Sequence, residues 1–222
     1  MRITRNATIC FLLVLVLSIA LTGVCFADGG DGSEATPINI ERIAGANRYE
    51  TSLLIGHAAG QGTGSQVFYE GVIIACGTDY ADALGSAAIQ TTGWMPGPVL
   101  LVNDDPQVMK AVAENIKAHY KFNPYEDMRQ IWIMGGNGAV SEKMEQILAD
   151  AGLPSVSIER MAGSNRYETN LSVLWRYFGA NNRNRLIICS GKDFADALSA
   201  SATKYPIMIV GDALTENQKK FI

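Results

Sequence analysis

A ten-residue block that combines two arginines with an asparagine and a glutamate occurs twice in the chain, and these side chains could bind an anion. The first copy runs from Arg42 to Thr51 and the second from Arg160 to Thr169, 118 positions later, with eight of ten residues identical. A guanidinium group binds carboxylate and phosphate oxygens through paired hydrogen bonds. The repetition predicts a duplicated unit, and tandem units favour repeated binding sites over a single catalytic centre.

Two residues of this block are explained by the start of a helix. Asn47 and Glu50 have the spacing of a capping box, in which the asparagine accepts an N–H of the first turn and the glutamate reaches back. The second copy contains the same pair. Arg48 and Arg166 are not explained in this way, because a positive charge in the first turn opposes the helix dipole. Each arginine either binds a carboxylate or phosphate of a ligand or forms a structural salt bridge between neighbouring units.

A second block also repeats and adds two aspartates per copy. Gly77–Leu84 returns as Gly191–Leu198, and each copy follows an apolar strand and opens a helix. In α/β folds, the carboxyl ends of the strands are the usual place for ligands. Asp79 and Asp82 fit an acidic capping pair, which is the favoured interpretation, and they could instead hold a divalent cation or the hydroxyls of a sugar. Asp82 and its counterpart Asp196 are candidate ligand contacts.

Motifs of known catalytic sites are missing from the sequence. It has no Gly-x-Ser-x-Gly turn and no His-Glu-x-x-His pair, and its two histidines, His57 and His119, lie outside the repeated blocks. The glycine-rich turn Met134–Ser141 could present N–H groups to an anion. It lacks the residues of a dinucleotide-binding or phosphate-binding loop, and tight packing of the turn is the simpler explanation. We therefore expect no enzyme, no cofactor and no metal site.

The amino terminus has the features of an export signal. Two arginines precede an apolar run at residues 7–21, and small residues stand before Asp28, where we expect cleavage. The run is shorter than the roughly 20 residues that span a bilayer. Residues 1–27 are therefore predicted to be a signal peptide and residues 28–39 a flexible linker. The mature protein is predicted to be secreted and free of the membrane.

Charge and cysteine content narrow the range of partners. Loss of the two leader arginines moves the formal net charge from −4 to about −6. Without a basic excess, nucleic acid is not an expected partner. Cys76 and Cys189 remain in the mature chain at positions that are not equivalent in the two units. They are expected to be buried, unpaired strand residues.

The rest of the chain alternates short apolar runs with amphipathic ones, which predicts an α/β layer structure with parallel strands. We expect strands at Val72–Cys76, Pro98–Val102, Ile131–Met134, Leu186–Cys189 and Pro206–Val210, and helices near residues 48–59, 81–91, 106–120 and 141–151. A counterpart of the third strand does not occur before Ile222, and a sheet without an inner strand exposes an apolar edge. We therefore expect a first repeat at residues 40–158 and an incomplete second repeat at residues 159–222, as in a fragment.

Together these blocks resemble the cell wall-binding repeat 2 family of Gram-positive surface proteins. The family pattern has an Arg-Ile/Leu-Ala/Gly-Gly-x-Asn/Asp-Arg-Tyr-Glu-Thr block, a Gly-x-x-Tyr/Phe-Ala-Asp-Ala-Leu block, a Pro-Ile-Leu-Leu strand and an Ile-x-Gly-Gly-x-x-Ala-Val-Ser turn. These elements are matched here by Arg42–Thr51, Gly77–Leu84, Pro98–Val102 and Ile133–Ser141, and the first three recur in the second repeat. The resemblance covers roughly residues 40–222. It implies tandem Rossmann-like or toprim-like three-layer α/β modules with mostly parallel sheets, three of which usually pack about a pseudo-threefold axis.

The resemblance also implies a function, which is noncovalent attachment of a secreted protein, often one associated with an S-layer, to anionic secondary polymers of the cell wall. Arg48, Arg166, Asp82 and Asp196 are the residues that we expect to contact the polymer. One alternative is the anchoring region of a cell-wall amidase or peptidase whose catalytic domain is missing from this chain. Another is a structural part of an S-layer that binds no polymer, in which the repeated arginines serve only the packing between units.

Overall fold

The computed structural model describes residues 40–61, 71–86, 89, 96–119, 130–153, 157–178, 185–203 and 205–222. Contacts divide the chain into two compact units, Met1–Arg42 and Ile43–Ile222. The predicted signal peptide and linker lie outside the described residues, and the structure below is that of the second unit.

Six strands form two sheets in these described ranges. The strands are β1 (Gly71–Cys76), β2 (Pro96–Val102), β3 (Gln130–Met134), β4 (Ser157–Met161), β5 (Ile187–Ser190) and β6 (Ile207–Val210). The first sheet has the order β2-β1-β3-β4, and β5 pairs with β6 in the second. Every one of these pairings is parallel, which confirms the predicted α/β class.

Helices alternate with these strands along the chain. They are α1 (Arg48–Gln61), α2 (Ala81–Gly85), α3 (Pro106–His119), α4 (Lys143–Asp150), α5 (Arg166–Phe178), α6 (Ala195–Ser201) and α7 (Glu216–Phe221). The predicted helices near residues 48–59, 106–120 and 141–151 correspond to α1, α3 and α4. Of the predicted helix near residues 81–91, α2 covers Ala81–Gly85 and ends where the Ser86 hydroxyl donates to the carbonyl of Ala83 at 2.6 Å. Ile89 is again helical, and the other residues of the predicted helix beyond Ser86 lie outside the described residues.

Every residue of β1 is buried, because helices cover both faces of the first sheet. Successive side chains of a strand point to opposite faces. Val72 and Ile74 therefore pack on one face, in a core shared with α3 and α4. Ile73 and Ala75 pack on the other face, in a separate core. The continuous apolar run in the sequence follows from this double coverage.

The second face is covered by α5, the helix that begins within the second arginine block. Leu171, Leu174 and Phe178 of α5 share a core with Trp132 and Met134 of β3. The strand that precedes this helix, β4, pairs with β3 along its full length. Strand and helix of the second arginine block therefore complete the first sheet.

The sequence does not predict β4. The strand includes Glu159 and Arg160, and charged residues are depleted in strands, so only the pairing with β3 identifies it. The predicted boundary after residue 158 lies inside this strand. The chain thus passes from one predicted repeat to the next within a sheet, and the division into two repeats stays a prediction.

Two amide side chains attach the second sheet to neighbouring helices. Asn170 of α5 donates to the carbonyl of Ile207 at 2.8 Å and accepts the N–H of Ile209 at 3.0 Å. Gln218 of α7 donates to the carbonyl of Ile209 at 2.9 Å. All of these groups are buried, and a buried backbone group without a partner would cost free energy. The amides therefore fix where α5 and α7 lie against β6.

Cys76 and Cys189 are buried free thiols, as predicted. Burial raises the pKa of the Cys189 thiol, and the negative charge of Asp196 raises it further. Both effects disfavour the reactive thiolate. Among the helices of the described ranges, none is long and apolar enough to cross a membrane.

Replacing Leu174 by alanine should lower the free energy of unfolding by about 2–5 kcal/mol, because this side chain is 0% exposed between α5 and the first sheet. Leu54→Ala is the matched control. Leu54 is 44% exposed on α1, and its removal should cost under about 1 kcal/mol. Urea unfolding followed by circular dichroism gives both values. Equal losses in the two variants would contradict the role of α5 as the cover of the first sheet.

Candidate functional site

The two repeated blocks meet at the carboxyl end of the first sheet. The aspartate block follows β1, and the glycine turn at residues 135–140 follows β3, the neighbouring strand. Parallel neighbouring strands end on the same side of a sheet, so these two segments lie together. α5 begins at the same place and brings Arg166 to Asp79. A charged cluster thus forms where α/β folds usually place their ligands.

Arg166 contacts three groups, of which one lies in its own predicted repeat and two lie in the first. Its Nη1 donates to the carbonyl of Gly191 at 3.2 Å, and its Nη2 donates to Oδ2 of Asp79 at 2.9 Å. The guanidinium carbon lies 5.7 Å from the centre of the Tyr80 ring, within reach of a cation–π contact. The salt bridge is partly exposed, and such pairs contribute about 0–1 kcal/mol. This geometry favours the structural salt bridge, and a ligand contact by Arg166 stays a prediction.

Aromatic side chains extend the same contact. The hydroxyl of Tyr80 donates to the carbonyl of Lys192 at 3.1 Å. The rings of Tyr80 and Phe194 meet edge to face, with their centres 5.5 Å apart. We call the contact made by Asp79, Tyr80, Arg166, Lys192 and Phe194 the repeat joint. One feature of the sequence could have indicated the repeat joint: Tyr80 and Phe194 are aromatic residues at the same position of the two aspartate blocks.

Arg48 and Arg166 make equivalent contacts, each with the carbonyl of the glycine that begins the aspartate block of its own repeat. Nη1 of Arg48 donates to the carbonyl of Gly77 at 2.6 Å, and the side chain is otherwise exposed. The carbonyl at the strand end gives the arginine a negative partner, which offsets its unfavourable position at the start of a helix. A structural reason therefore exists for an arginine at this position in both blocks.

The tyrosine after each of these arginines explains the glycine of each aspartate block. A Cβ on Gly77 would lie 2.4 Å from Cε1 of Tyr49, and a Cβ on Gly191 would lie 2.6 Å from Cε1 of Tyr167. Both distances are too short for any side chain, so only glycine fits beneath the ring. The two repeated blocks are thus coupled by packing in each repeat, which their spacing in the sequence did not indicate.

The two aspartates of the first block have different environments. Oδ1 of Asp79 accepts the N–H of Ala81 at 3.0 Å, which is the predicted capping role. Asp82 is half-buried beside Gly135, where an added Cβ would lie 2.4 Å from its Oδ2. Burial raises the pKa of Asp82 above its ordinary value, and the charge of Asp79 raises it further, while Arg166 lowers it. Asp82, next to the repeat joint, is therefore a carboxyl group that ionises less readily than a free aspartate.

The aspartates of the second block lie on the surface. Oδ1 of Asp193 accepts the N–H of Phe194 at 2.6 Å, and Asp196 is exposed on α6. The structure therefore places Arg166 in the repeat joint and Asp82 close enough for its charge to act on this carboxyl group, whereas Arg48 and Asp196 are exposed outside the joint. Across the described ranges, no three His, Cys, Asp or Glu side chains are grouped so that they could hold a metal ion.

Arg160 of β4 holds the glycine turn that follows β3. Its Nη1 donates to the carbonyls of Gly135 and Val140, both at 2.9 Å. Its Nε and Nη2 donate to Oε1 of Glu145 at 2.9 and 2.5 Å. Gly135 has a φ of +97°, a conformation that favours glycine. The turn thus presents carbonyls to an arginine of the protein, in agreement with its interpretation as a packing feature.

The predicted capping boxes are present in part. Oδ1 of Asn47 accepts the N–H groups of Tyr49 and Glu50, both at 3.0 Å. Asn165 caps α5 in the same way. Glu50 reaches back one residue further than predicted, because its Oε2 accepts the N–H of Ala46 at 2.6 Å. The asparagines therefore cap the helices, and the first glutamate closes a slightly wider turn.

A groove of about 550 Å³ runs along α5 beside its capped end. The exposed indole of Trp175 forms an apolar part of its wall. Its polar and charged lining includes Asn165, Glu168, Asn217 and Lys220. An aromatic surface beside hydrogen-bonding groups suits a ligand with apolar and polar faces, such as a sugar ring. The repeats did not reveal this groove, because His57 occupies the position of Trp175 in the first repeat.

Replacing Arg160 by alanine should lower the free energy of unfolding by about 2 kcal/mol, because it removes charge-assisted hydrogen bonds to two carbonyls and a carboxylate. Arg176→Ala is the control, since Arg176 is more exposed and binds Glu159 of the same strand at 3.0 Å. Its loss should cost at most about 1 kcal/mol. Chemical denaturation measures both. An Arg160 variant no less stable than the Arg176 variant would be inconsistent with this role.

The stability difference between the Asp82→Asn variant and the wild type should depend on pH. Because the folded-state pKa of Asp82 lies above the ordinary value of an aspartate, the wild type loses a favourable contribution to its stability as pH rises through the folded-state pKa. The variant should therefore gain stability relative to the wild type over this interval, and the difference should become constant at higher pH. Urea unfolding from about pH 3 to about pH 7 measures the trend. A difference that is independent of pH would show that Asp82 has no raised pKa.

Comparisons with known proteins agree with this architecture. The family profile described as Cell wall binding domain 2 (CWB2) matches residues 42–145 and 160–221. The N-acetylmuramoyl-L-alanine amidase LytC of Bacillus subtilis (strain 168) is 30% identical over 206 residues, which cover 90% of this chain and 34% of the amidase. The Amidase enhancer of the same organism is 29% identical over 183 residues, which cover 81% of this chain and 22% of the enhancer. The chain thus spans about a third or less of these relatives.

Two solved structures share the fold. Cwp8 from Clostridium difficile has a TM-score of 0.59 and 24% identity, with 82% of this chain and 28% of Cwp8 covered. Cwp6 from Clostridium difficile has a TM-score of 0.59 and 22% identity, with 86% of this chain and 30% of Cwp6 covered. With the profile matched on both sides of the repeat joint, the chain belongs to the Cell wall binding domain 2 family.

Proposed function

We propose that the protein is a secreted module that binds noncovalently to anionic secondary polymers of the cell wall. The observation that carries this proposal is the match of residues 42–145 and 160–221 to Cell wall binding domain 2. The predicted signal peptide supports a location at the cell surface. The relative named as an amidase shares only 34% of its length with this chain, which is consistent with a common binding region.

The proposed polymer contacts remain Arg48, Arg166, Asp82 and Asp196. Their exposure and existing partners determine how available each one is to a ligand. Arg48 is the most available cation, because it is exposed and its Nη1 already fixes the side chain on the carbonyl of Gly77. Asp196 is exposed and could accept hydrogen bonds from sugar hydroxyls. A polymer phosphate or carboxylate at Arg166 would compete with Asp79. Other repeat units are proposed to pack through the same joint, in a pseudo-threefold arrangement.

The groove along α5 is the proposed place for a sugar unit of the polymer. Trp175 offers an aromatic surface to the apolar face of the ring, and Asn165 and Asn217 offer amide groups to its hydroxyls. Lys220 supplies a positive charge for an anionic substituent. The groove therefore combines stacking, hydrogen bonding and charge at one site. This combination supports a glycan polymer over a protein partner.

The mature protein should sediment with purified Gram-positive cell walls and be released by high salt, because contacts between exposed charges are screened. Trp175→Ala should lower the affinity for walls about threefold to tenfold through loss of stacking. Co-sedimentation with a fixed amount of wall at increasing protein concentration measures both effects. Tyr205→Ala is the control, since Tyr205 is an exposed aromatic residue that contacts Arg185 outside the groove.

Walls stripped of their secondary polymers are the second arm of this experiment. The stripped walls should retain little protein. Equal retention on stripped walls would show that the secondary polymer is not the ligand. Unchanged binding of the Trp175 variant would remove the groove from the proposal and leave the exposed arginine and aspartate as contacts.

The likeness to the amidase favours one second candidate, in which this chain is the anchoring region of a cell-wall hydrolase. In that case wall binding is unchanged, and a catalytic domain would be encoded beside this sequence. The flanking coding sequence distinguishes the anchoring region of a hydrolase from a separate binding module. Continuation into a hydrolase domain would favour the anchoring region, and its absence would favour a binding module.

A further inference from the structure

We propose that His57 and His119 form a binding site for a divalent transition-metal ion such as Zn²⁺ or Ni²⁺ between the helices α1 and α3. The imidazole rings of the two side chains lie with their centres 5.0 Å apart and their planes at 72° to each other. Neutral imidazole is a common ligand of zinc, copper and nickel in proteins. The site does not depend on attachment to the cell wall. Arg48, the proposed polymer contact on α1, lies about 13 Å away from His57 along the helix axis.

The fold brings together the only two histidines of the chain, which are far apart in the sequence. His57 lies on α1, and His119 is the last residue of α3. Leu53, one turn before His57, packs against the core that α3 shares with the first sheet. Side chains four positions apart lie on the same side of a helix. His57 therefore continues the side of α1 that faces α3, within the first repeat.

The distance between the two rings fits chelation of one ion. With zinc–nitrogen bonds of about 2.1 Å, two imidazoles in tetrahedral coordination have ring centres roughly 5 Å apart. Rings inclined at 72° can each direct one nitrogen to a common point. Every imidazole has two nitrogens, so one of them can bind the metal while the other donates to a protein group. The geometry therefore suits a site with one nitrogen from each histidine.

The surroundings of the pair suit a cation with exchangeable ligands. Lys117, two residues before His119, extends towards α4, since its Nζ would lie 3.6 Å from a Cβ on Gly152. Its ammonium group therefore does not share the side of α3 on which a metal ion would bind. Both histidines are exposed, so an ion can reach them from solvent. In the described part of the chain no third His, Cys, Asp or Glu side chain completes a metal group, which leaves the other coordination positions to water.

A buried acceptor one turn before His119 gives a second observation. Oδ1 of Asn115 is buried and has no hydrogen-bond partner among the described residues. Asn115 and His119 lie on the same side of α3, because they are four positions apart. A buried polar atom of this kind usually accepts a hydrogen bond from an ordered water molecule. A water molecule on the bound ion would supply this hydrogen bond, and such outer partners strengthen metal sites.

This proposal departs from the expectation of no metal site, which was based on the absence of a metal-binding spacing in the sequence. The two histidines come together only because α1 and α3 pack side by side on the first sheet. In the second repeat, Trp175 occupies the position of His57. The site therefore belongs to the first repeat, and we expect one ion per chain. Because the ion binds side chains of two helices, it should stabilise the folded protein.

Isothermal titration calorimetry tests the proposal with ZnCl₂ and the chain from Asp28 to Ile222, without an affinity tag. The wild type should bind one Zn²⁺ ion with a micromolar dissociation constant. His57→Phe and His119→Phe each keep a ring at the contact and remove its nitrogen ligand. Each variant should bind Zn²⁺ about tenfold or more weakly, because two ligands held on one frame bind an ion more tightly than either alone. Ca²⁺ should not bind at these histidines, since it prefers oxygen ligands.

Glu114→Gln is the matched control, because it removes an exposed carboxylate of α3 that lines the groove towards α4. This variant should bind Zn²⁺ as the wild type does. At a Zn²⁺ concentration of about 100 times the dissociation constant, Tm of the wild type and of this control should rise by about 5 °C or more. Tm of the two histidine variants should not rise. Thermal unfolding without metal shows that every variant is folded.

Nuclear magnetic resonance identifies the ligands directly, because the chain has only two imidazole side chains. Paramagnetic Ni²⁺ should broaden the signals of both rings together. Broadening of one ring alone would overturn the proposal, since it would show binding through a single histidine. A wild-type affinity for Zn²⁺ no higher than that of the phenylalanine variants would also overturn it and leave an edge-to-face ring contact as the role of the pair. No cell wall is present in these measurements, so a failure of the proposed wall binding would not change their outcome.

Discussion

The packing of α5 against the first sheet is the interaction on which the rest of the structure depends. A parallel sheet with apolar side chains on both faces needs a cover on each. The helices α3 and α4 cover one face from within the first repeat, and α5 of the next block covers the other. The two predicted repeats are therefore not independently packed modules. The first is completed by residues that the sequence assigns to the second.

This dependence explains why charged side chains accumulate at the junction. Once β4 and α5 lie on the first sheet, Arg160 reaches the glycine turn and Arg166 reaches Asp79. Both arginines bind backbone carbonyls as well as a carboxylate, so they fix orientation in addition to contributing modest electrostatic energy. Arg166, one of the proposed polymer contacts, is thus also a residue of the packing between the two predicted repeats.

Prediction from sequence succeeded where local rules decide the outcome. The apolar runs at Val72–Cys76 and Ile131–Met134 became buried strands because their composition suits strands covered on both faces. Asn47 and Asn165 capped helices because a short polar side chain reaches the free N–H groups of the first turn. Prediction from sequence failed for β4, because the charged residues Glu159 and Arg160 are not typical of a strand and only the pairing with β3 identifies one there. It also gave no account of Gly77, which is required by the ring of Tyr49.

The sequence by itself determined the duplication, the α/β class and the family resemblance, because repeated residues and apolar periodicity are local properties of the chain. Only the tertiary structure decided what the repeated arginines do. Asp79 and Arg166 are 87 residues apart in the sequence. They come into contact because α5 is buried on the first sheet, and no rule of sequence spacing predicts that packing. The ten-residue block that marks the second repeat in the sequence is, in three dimensions, the last strand and second cover of the first. Its equivalent on α1 exposes the same arginine and an apolar side chain to solvent, because within the described residues no further sheet lies against it.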